Sequence, residues 1–180
     1  MQLSTLENIG FDPSAFPDFD EELQAAMVQE IQLLFHEAVQ QNQEINTILN
    51  SDTVWVNQRL ASHYGIDNIN WSNEPLEIAV EDLPRGGILE SAAFLAITSH
   101  PSKTSPTKRG RWILEQLLCQ PPEEPPDNVE TDVSSIDESA SLQEMLAAHA
   151  DNPACASCHL SMDPLGISCL LYTSPSPRDS

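Results

Sequence analysis

Positive charge is scarce in this chain. Of 180 residues, 7 are lysine or arginine against 28 aspartate or glutamate, a formal net charge of −21 with histidine neutral. So anionic a surface argues against nucleic acid or an anionic membrane face as a partner, and suits a basic protein partner or a high-salt habitat. Long hydrophobic runs are missing as well: nothing approaches the roughly 18 consecutive apolar residues of a membrane span, so no transmembrane segment is expected. The opening MQLSTLENIGFDPSAF lacks the basic-then-apolar order of a secretory signal, which leaves a cytoplasmic protein or a chain whose true N-terminus is absent. No internal repeat is visible. Neither paired carboxylates nor a Ser-His-Asp set can be picked out, because the acidic residues are spread through helix faces and a linker. Cysteine is limited to four residues, of which Cys119 and Cys169 are isolated.

What is present reads as helix, and 40% apolar content in 180 residues is enough for a core. Residues 19–50 contain no Gly or Pro, and Leu23, Met27, Ile31, Leu34, Phe35, Ala38 and Val39 recur at helical spacing. One long amphipathic helix is predicted there, opened by Asp18 or Asp20. TVWVNQRLASHYG predicts a second helix that buries Trp55, Val56, Leu60 and Tyr64 and stops at Gly65. Residues 66–87 are more irregular, with a short strand expected at LEIAV. GILESAAFLAITSH reads as a helix buried on most faces and ended by Pro101. SPTKRGRWILEQLLCQPP reads as a helix with Ser105 as N-cap, Pro106 at the first position and Pro121 and Pro122 as the stop. Gly110 inside it is a weak point or a place of close approach.

Residues 120–138 combine four prolines with many acidic residues and few apolar ones, the composition of an extended, solvated linker. Beyond it, SLQEMLAAHA sets Leu142, Met145, Leu146 and His149 on a helical face, followed by an Asp151-Asn152-Pro153 turn. The expected fold class is mostly α. A helical domain covers 1–118, a Pro/acidic linker 119–138, and a short helical module 139–168.

That module carries ACASCHLSMDPLG, with Cys155 and Cys158 two residues apart and His159 directly after. Covalent haem attachment needs two thiols to add across the porphyrin vinyl groups and a neighbouring imidazole to reach the iron, and this spacing meets that need. Zinc would require four ligands, usually from two separated pairs, and a second pair is lacking. A thioredoxin-like redox pair expects a βαβ setting, whereas these surroundings read as helical. A simple disulfide, or chance, remains a further alternative.

Lys103, Lys108, Arg109 and Arg111 are four of the seven basic residues and crowd the start of one helix. Cations there oppose the helix dipole and ask for an anionic partner. Haem propionates on Lys108, Arg109 and Arg111, with Trp112 beside the macrocycle, are one answer; pairing with nearby carboxylates is the other.

LASHYGI, RGGILESAAFLAITSHPSKTSPTKRGRWILEQLLCQPP and LAAHADNPACASCHLSMDPLG together resemble the planctomycete-type cytochrome c family of large, mostly uncharacterised bacterial proteins. The resemblance spans roughly residues 20–167. It implies a helical domain followed by a cytochrome c-like haem-attachment module, with haem c and its iron held by Cys155, Cys158 and His159. Arg85 to Gly87 and Ser105 to Gly110 also match the family pattern, without an implied role. Relatives continue past Asp-Pro-Leu-Gly with an aromatic, acidic stretch, while this chain turns at about Ser168 to CLLYTSPSPRDS. Residues 169–180 therefore read as a non-native tail on a C-terminally truncated module. The resemblance further implies a periplasmic or cell-surface parent protein, companion cytochrome-like domains within it, and a redox protein partner.

For a sixth iron ligand Met162 has too little reach: three residues from His159 span at most roughly 10 Å, so it is expected to pack. His149, ten residues upstream, reaches roughly 30 Å and is the distal candidate. His63 and His100 are weaker, and His36 belongs to a helix face. Three functions follow for comparison: an electron-transfer module, a haem-dependent oxidoreductase domain, or a structural domain that docks a cytochrome module.

Overall fold

The computed structural model of the chain describes residues 3–67, 69–71, 74–80, 86–122 and 153–171. It is mostly α-helical, as the sequence predicts, and divides into two compact units, Met1–Thr104 and Ser105–Ser180. Composition set a first boundary at residue 118, whereas contacts set the division after Thr104. Most of the expected linker, and the SLQEMLAAHA segment, lie outside the described residues.

In the first unit a 3-10 turn, Leu3–Asn8, precedes helix α1, Glu21–Gln40. Asp20 caps α1 by accepting from the Leu23 N–H at 2.7 Å, and Glu21 and Glu22 add negative charge where the dipole favours it. The same carboxylate meets Arg59, 3.0 Å away. The Leu23 N–H first, and Arg59 second, hold the Asp20 carboxyl below its ordinary value. Leu23, Ala26, Met27 and Ile31 form the buried stripe that faces the core.

The single helix expected over 19–50 is broken. Asn42 takes the left-handed conformation (φ 50°), its N–H donates to the Val39 carbonyl, and the Gln43 N–H donates to the Ala38 carbonyl. This is a Schellman closure with asparagine in the place glycine usually holds. A short helix α2, Ile45–Leu49, follows.

Thr53–Val56 is a strand, β1, and not the first turn of a helix. It pairs antiparallel with β2, Leu76–Ala79, with Thr53 opposite Ala79 and Val56 opposite Leu76. Its β-branched residues suit a pleated surface, and Val54 and Val56 alternate into the core. Asn57 then accepts from the Leu60 N–H at 2.9 Å to start helix α3, Gln58–Tyr64, which ends at left-handed Gly65 as expected. Ser91 caps helix α4, Ala92–Ile97.

The Tyr64 hydroxyl lies 2.8 and 2.9 Å from the two oxygens of buried Glu30 and accepts the Ala92 N–H at 2.9 Å. One side chain thus ties α1, α3 and the start of α4. Gly86 and Gly87, of the Arg-Gly-Gly stretch, press on the Ser51 and Leu49 carbonyls, where a Cβ would stand 2.3 and 2.2 Å from oxygen. Gly87 also has φ 70°. Arg85 lies outside the described residues.

In the second unit, helix α5, Pro106–Gln116, begins as the sequence predicts, with the Ser105 side chain accepting from the Lys108 N–H and Pro106 in the first turn. Pro106, Arg109, Gly110, Ile113 and Leu114 are its buried face. This face packs on helix α6, Pro153–Leu171, which contains Pro164 within its span.

Candidate functional site

The contact between α5 and α6 is set by glycine. A Cβ on Gly110 would stand 1.8 Å from the Met162 carbonyl oxygen, and one on Gly166 would stand 1.9 Å from the Pro106 carbonyl oxygen. Each helix therefore offers the other bare backbone, and the close approach expected at Gly110 is realised. Arg109, 1% exposed, directs its guanidinium to the Gly166 carbonyl. Met162, 7% exposed, sits in packing as its short reach from His159 suggests.

On α6, Cys155, Cys158 and His159 occupy positions i, i+3 and i+4, which share one face of a helix. Cys155 is buried, and Cys158 and His159 are half-buried. Neither cysteine is in a disulfide. Nδ1 of His159 lies 2.9 Å from Oδ2 of Asp163, and the Thr107 hydroxyl on α5 donates to Oδ1 of the same carboxylate at 2.9 Å. A carboxylate acceptor places the proton of a neutral imidazole on Nδ1, so the lone pair sits on Nε2. That arrangement is the one metal-bound histidines use, with the non-ligating nitrogen tied to a carboxylate. The donor set of two cysteines outside any disulfide and an oriented imidazole on one face fits haem c.

Among the described residues no cluster of three or more His, Cys, Asp or Glu is gathered to hold a metal ion by itself. The described residues of the second unit form helices without a strand, which is not the βαβ setting of a thioredoxin-like pair. Cys119 is exposed beyond the end of α5, in a left-handed turn (φ 52°).

The basic residues stand in different surroundings. Arg109 is buried against α6, while Lys108 and Arg111 face solvent and Arg111 pairs with Glu115. Lys103 belongs to the first unit, and Trp112 on α5 is half-buried. His149 lies outside the described residues. His36, His63 and His100 are exposed residues of the first unit. That unit also holds a small cleft between Glu30, Thr53, Trp55 and Ser91, of about 10 Å³, which has room for no more than a water.

Sequence reasoning missed Asp163 and Thr107. The first carried a usable signal, since it follows His159 by four residues, the spacing of neighbours on a helix. The second carried none, being 52 positions before the histidine it supports.

Among the described residues, no helix is long and apolar enough to cross a membrane. Comparison with family models matches residues 85–173 to PSCyt3, a protein of unknown function (DUF1588), and residues 1–66 to PSD4, a protein of unknown function (DUF1592). Both matches are consistent with the planctomycete cytochrome-type resemblance, at the level of uncharacterised domains. No curated protein and no solved structure matches the chain.

Proposed function

We propose that the chain binds haem c covalently through Cys155 and Cys158, with His159 as iron ligand, and works as an electron-transfer module of a larger extracytoplasmic bacterial protein. The observation that carries this reading is the helical face on which two cysteines outside any disulfide accompany an imidazole whose Nδ1 is held by Asp163. The cytochrome-type name of the model matched by residues 85–173 supports it.

When bound, the haem supplies a one-electron couple. The chain's residues do the rest. Cys155 and Cys158 would hold the haem through thioether links, and His159 would present Nε2 because Asp163 occupies Nδ1. The close packing of α5 on α6, set by Gly110 and Gly166, fixes the helix that carries all three groups and keeps water from its buried side. Lys108 and Arg111, exposed on α5, and Arg109, whose guanidinium also reaches the Gly166 carbonyl, remain the candidate partners for propionates. His149 remains the distal candidate. The net charge of −21 favours a basic redox partner, steered by long-range attraction that salt weakens. A periplasmic or cell-surface site, with companion cytochrome-like domains in the parent protein, completes the reading.

The test is maturation of the chain by a haem-ligation system in an oxidising compartment, followed by a pyridine haemochrome assay. The expected result is one covalent haem per chain, lost in the Cys155→Ala, Cys158→Ala double variant. A colourless product, or haem that extracts into acid acetone, overturns the proposal.

A further inference from the structure

We infer that Asp163 is a positioning residue for His159, a charged partner that sets the imidazole's tautomer and strengthens Nε2 as an electron donor to iron. The inference rests on the haem reading for its consequence but not for its geometry. Both oxygens of the carboxylate are engaged, one by His159 Nδ1 and one by the Thr107 hydroxyl, each at 2.9 Å. The side chain is 9% exposed, so water competes weakly for either bond. Thr107 belongs to α5, which itself is locked to α6 by the Gly110 and Gly166 contacts, so the acceptor is fixed from outside the helix that carries the histidine. Pro164 follows directly and restricts the backbone at this point through its ring.

The chemistry follows from the acceptor's charge. A backbone carbonyl behind a histidine is a dipole, whereas Asp163 offers a full negative charge in a poorly solvated place. It draws the Nδ1 proton toward itself and increases electron density at Nε2, which favours the more highly charged oxidised iron. Asp163 thus biases the module toward a low reduction potential. Thr107 has the supporting role of holding the second oxygen of the carboxylate.

Two measurements test this. In the haem-free full chain, nitrogen-15 spectra of the neutral His159 ring report the tautomer. The expected form carries the proton on Nδ1, and Asp163→Asn shifts the population toward the Nε2 proton. In the matured chain, Asp163→Asn keeps the side chain's size and shape, removes the charge and turns one of the two acceptor oxygens into an amide donor. Covalent haem is retained, the iron–imidazole stretch weakens, and the oxidised-to-reduced equilibrium moves about tenfold toward the reduced form, about 59 mV upward. An Nε2-protonated ring in the unmodified chain overturns the inference without any variant, as does an unchanged potential in a loaded Asp163→Asn protein. If the unmodified chain takes up no haem, the proposed function fails, while the tautomer measurement still decides the role of Asp163.

Discussion

Gly110→Ala is the substitution whose outcome most directly probes how the second unit is built. In an exposed helix this change stabilises by about 1 kcal/mol, because alanine loses less backbone entropy. Here the added methyl would stand 1.8 Å from the Met162 carbonyl oxygen and 2.6 Å from its carbon, both backbone atoms that no side-chain rotation can move. Carbon and oxygen approach ordinarily to about 3.3 Å, so α5 and α6 must part by roughly 1.5 Å. A gap of even 0.5–1 Å forfeits about a quarter to a half of the dispersion energy across a contact. Overpacking of this kind costs about 1–3 kcal/mol, and the lost interface around Ile113, Leu114, Cys155 and Met162 puts it at the upper end. After the propensity gain, a net loss of about 2 kcal/mol is expected. Native-state hydrogen exchange reads it as about thirtyfold faster opening of α5 and α6 amides, with α1 and α3 amides unchanged. Protection in α5 that equals or exceeds that of the unmodified chain would refute the glycine-set crossing.

Four further outcomes follow from the same structure. Asn42→Ala should lower the thermal midpoint by the equivalent of about 1 kcal/mol while Asn42→Gly leaves it level or raises it, because only the left-handed turn after α1 is at stake. Tyr64→Phe removes both a donor to buried Glu30 and the acceptor of the Ala92 N–H, and urea titration should show a loss of about 1–3 kcal/mol. The Asp20 carboxyl is depressed in the folded state, so its contribution to stability is complete above the ordinary carboxylate titration near pH ~4 and is lost as pH falls through the lower folded value. Asp20→Ser, which keeps a neutral cap, should therefore differ from the unmodified chain at pH 7 and converge with it in acid, as read by denaturation midpoints across pH. Asp163→Asn in the matured chain should raise the reduction potential, as argued above.

Local chemistry was legible and distant packing was not. Ser105 with Pro106, and Gly65, announce a helix start and stop through residues that act on their own backbone, and the structure places both there. The break at Asn42 is hidden in the sequence because residues 19–50 lack Gly and Pro, and asparagine enters the left-handed region without either signal. Thr53–Val56 was ambiguous as a four-residue apolar run; its pairing with Leu76–Ala79, more than 20 residues on, decided it as a strand. At the candidate site, Cys155, Cys158 and His159 stand out because their spacing is itself the chemistry. Grouping Arg109 with Lys108 and Arg111 overlooks its phase, since it shares a helical face with Pro106, Gly110 and Ile113, which are buried. The Thr107 bond and the Gly110 contact join residues more than 50 positions apart, and no local pattern encodes them.

The central claim is that the two sulfurs of one helical face become thioethers to a porphyrin. Intact mass together with alkylation of accessible thiols under denaturing conditions measures this directly on the chain matured with haem-ligation machinery. The account predicts a mass increased by one haem, with Cys119 and Cys169 alkylated and Cys155 and Cys158 blocked. An unmodified mass with all four cysteines alkylated would contradict it.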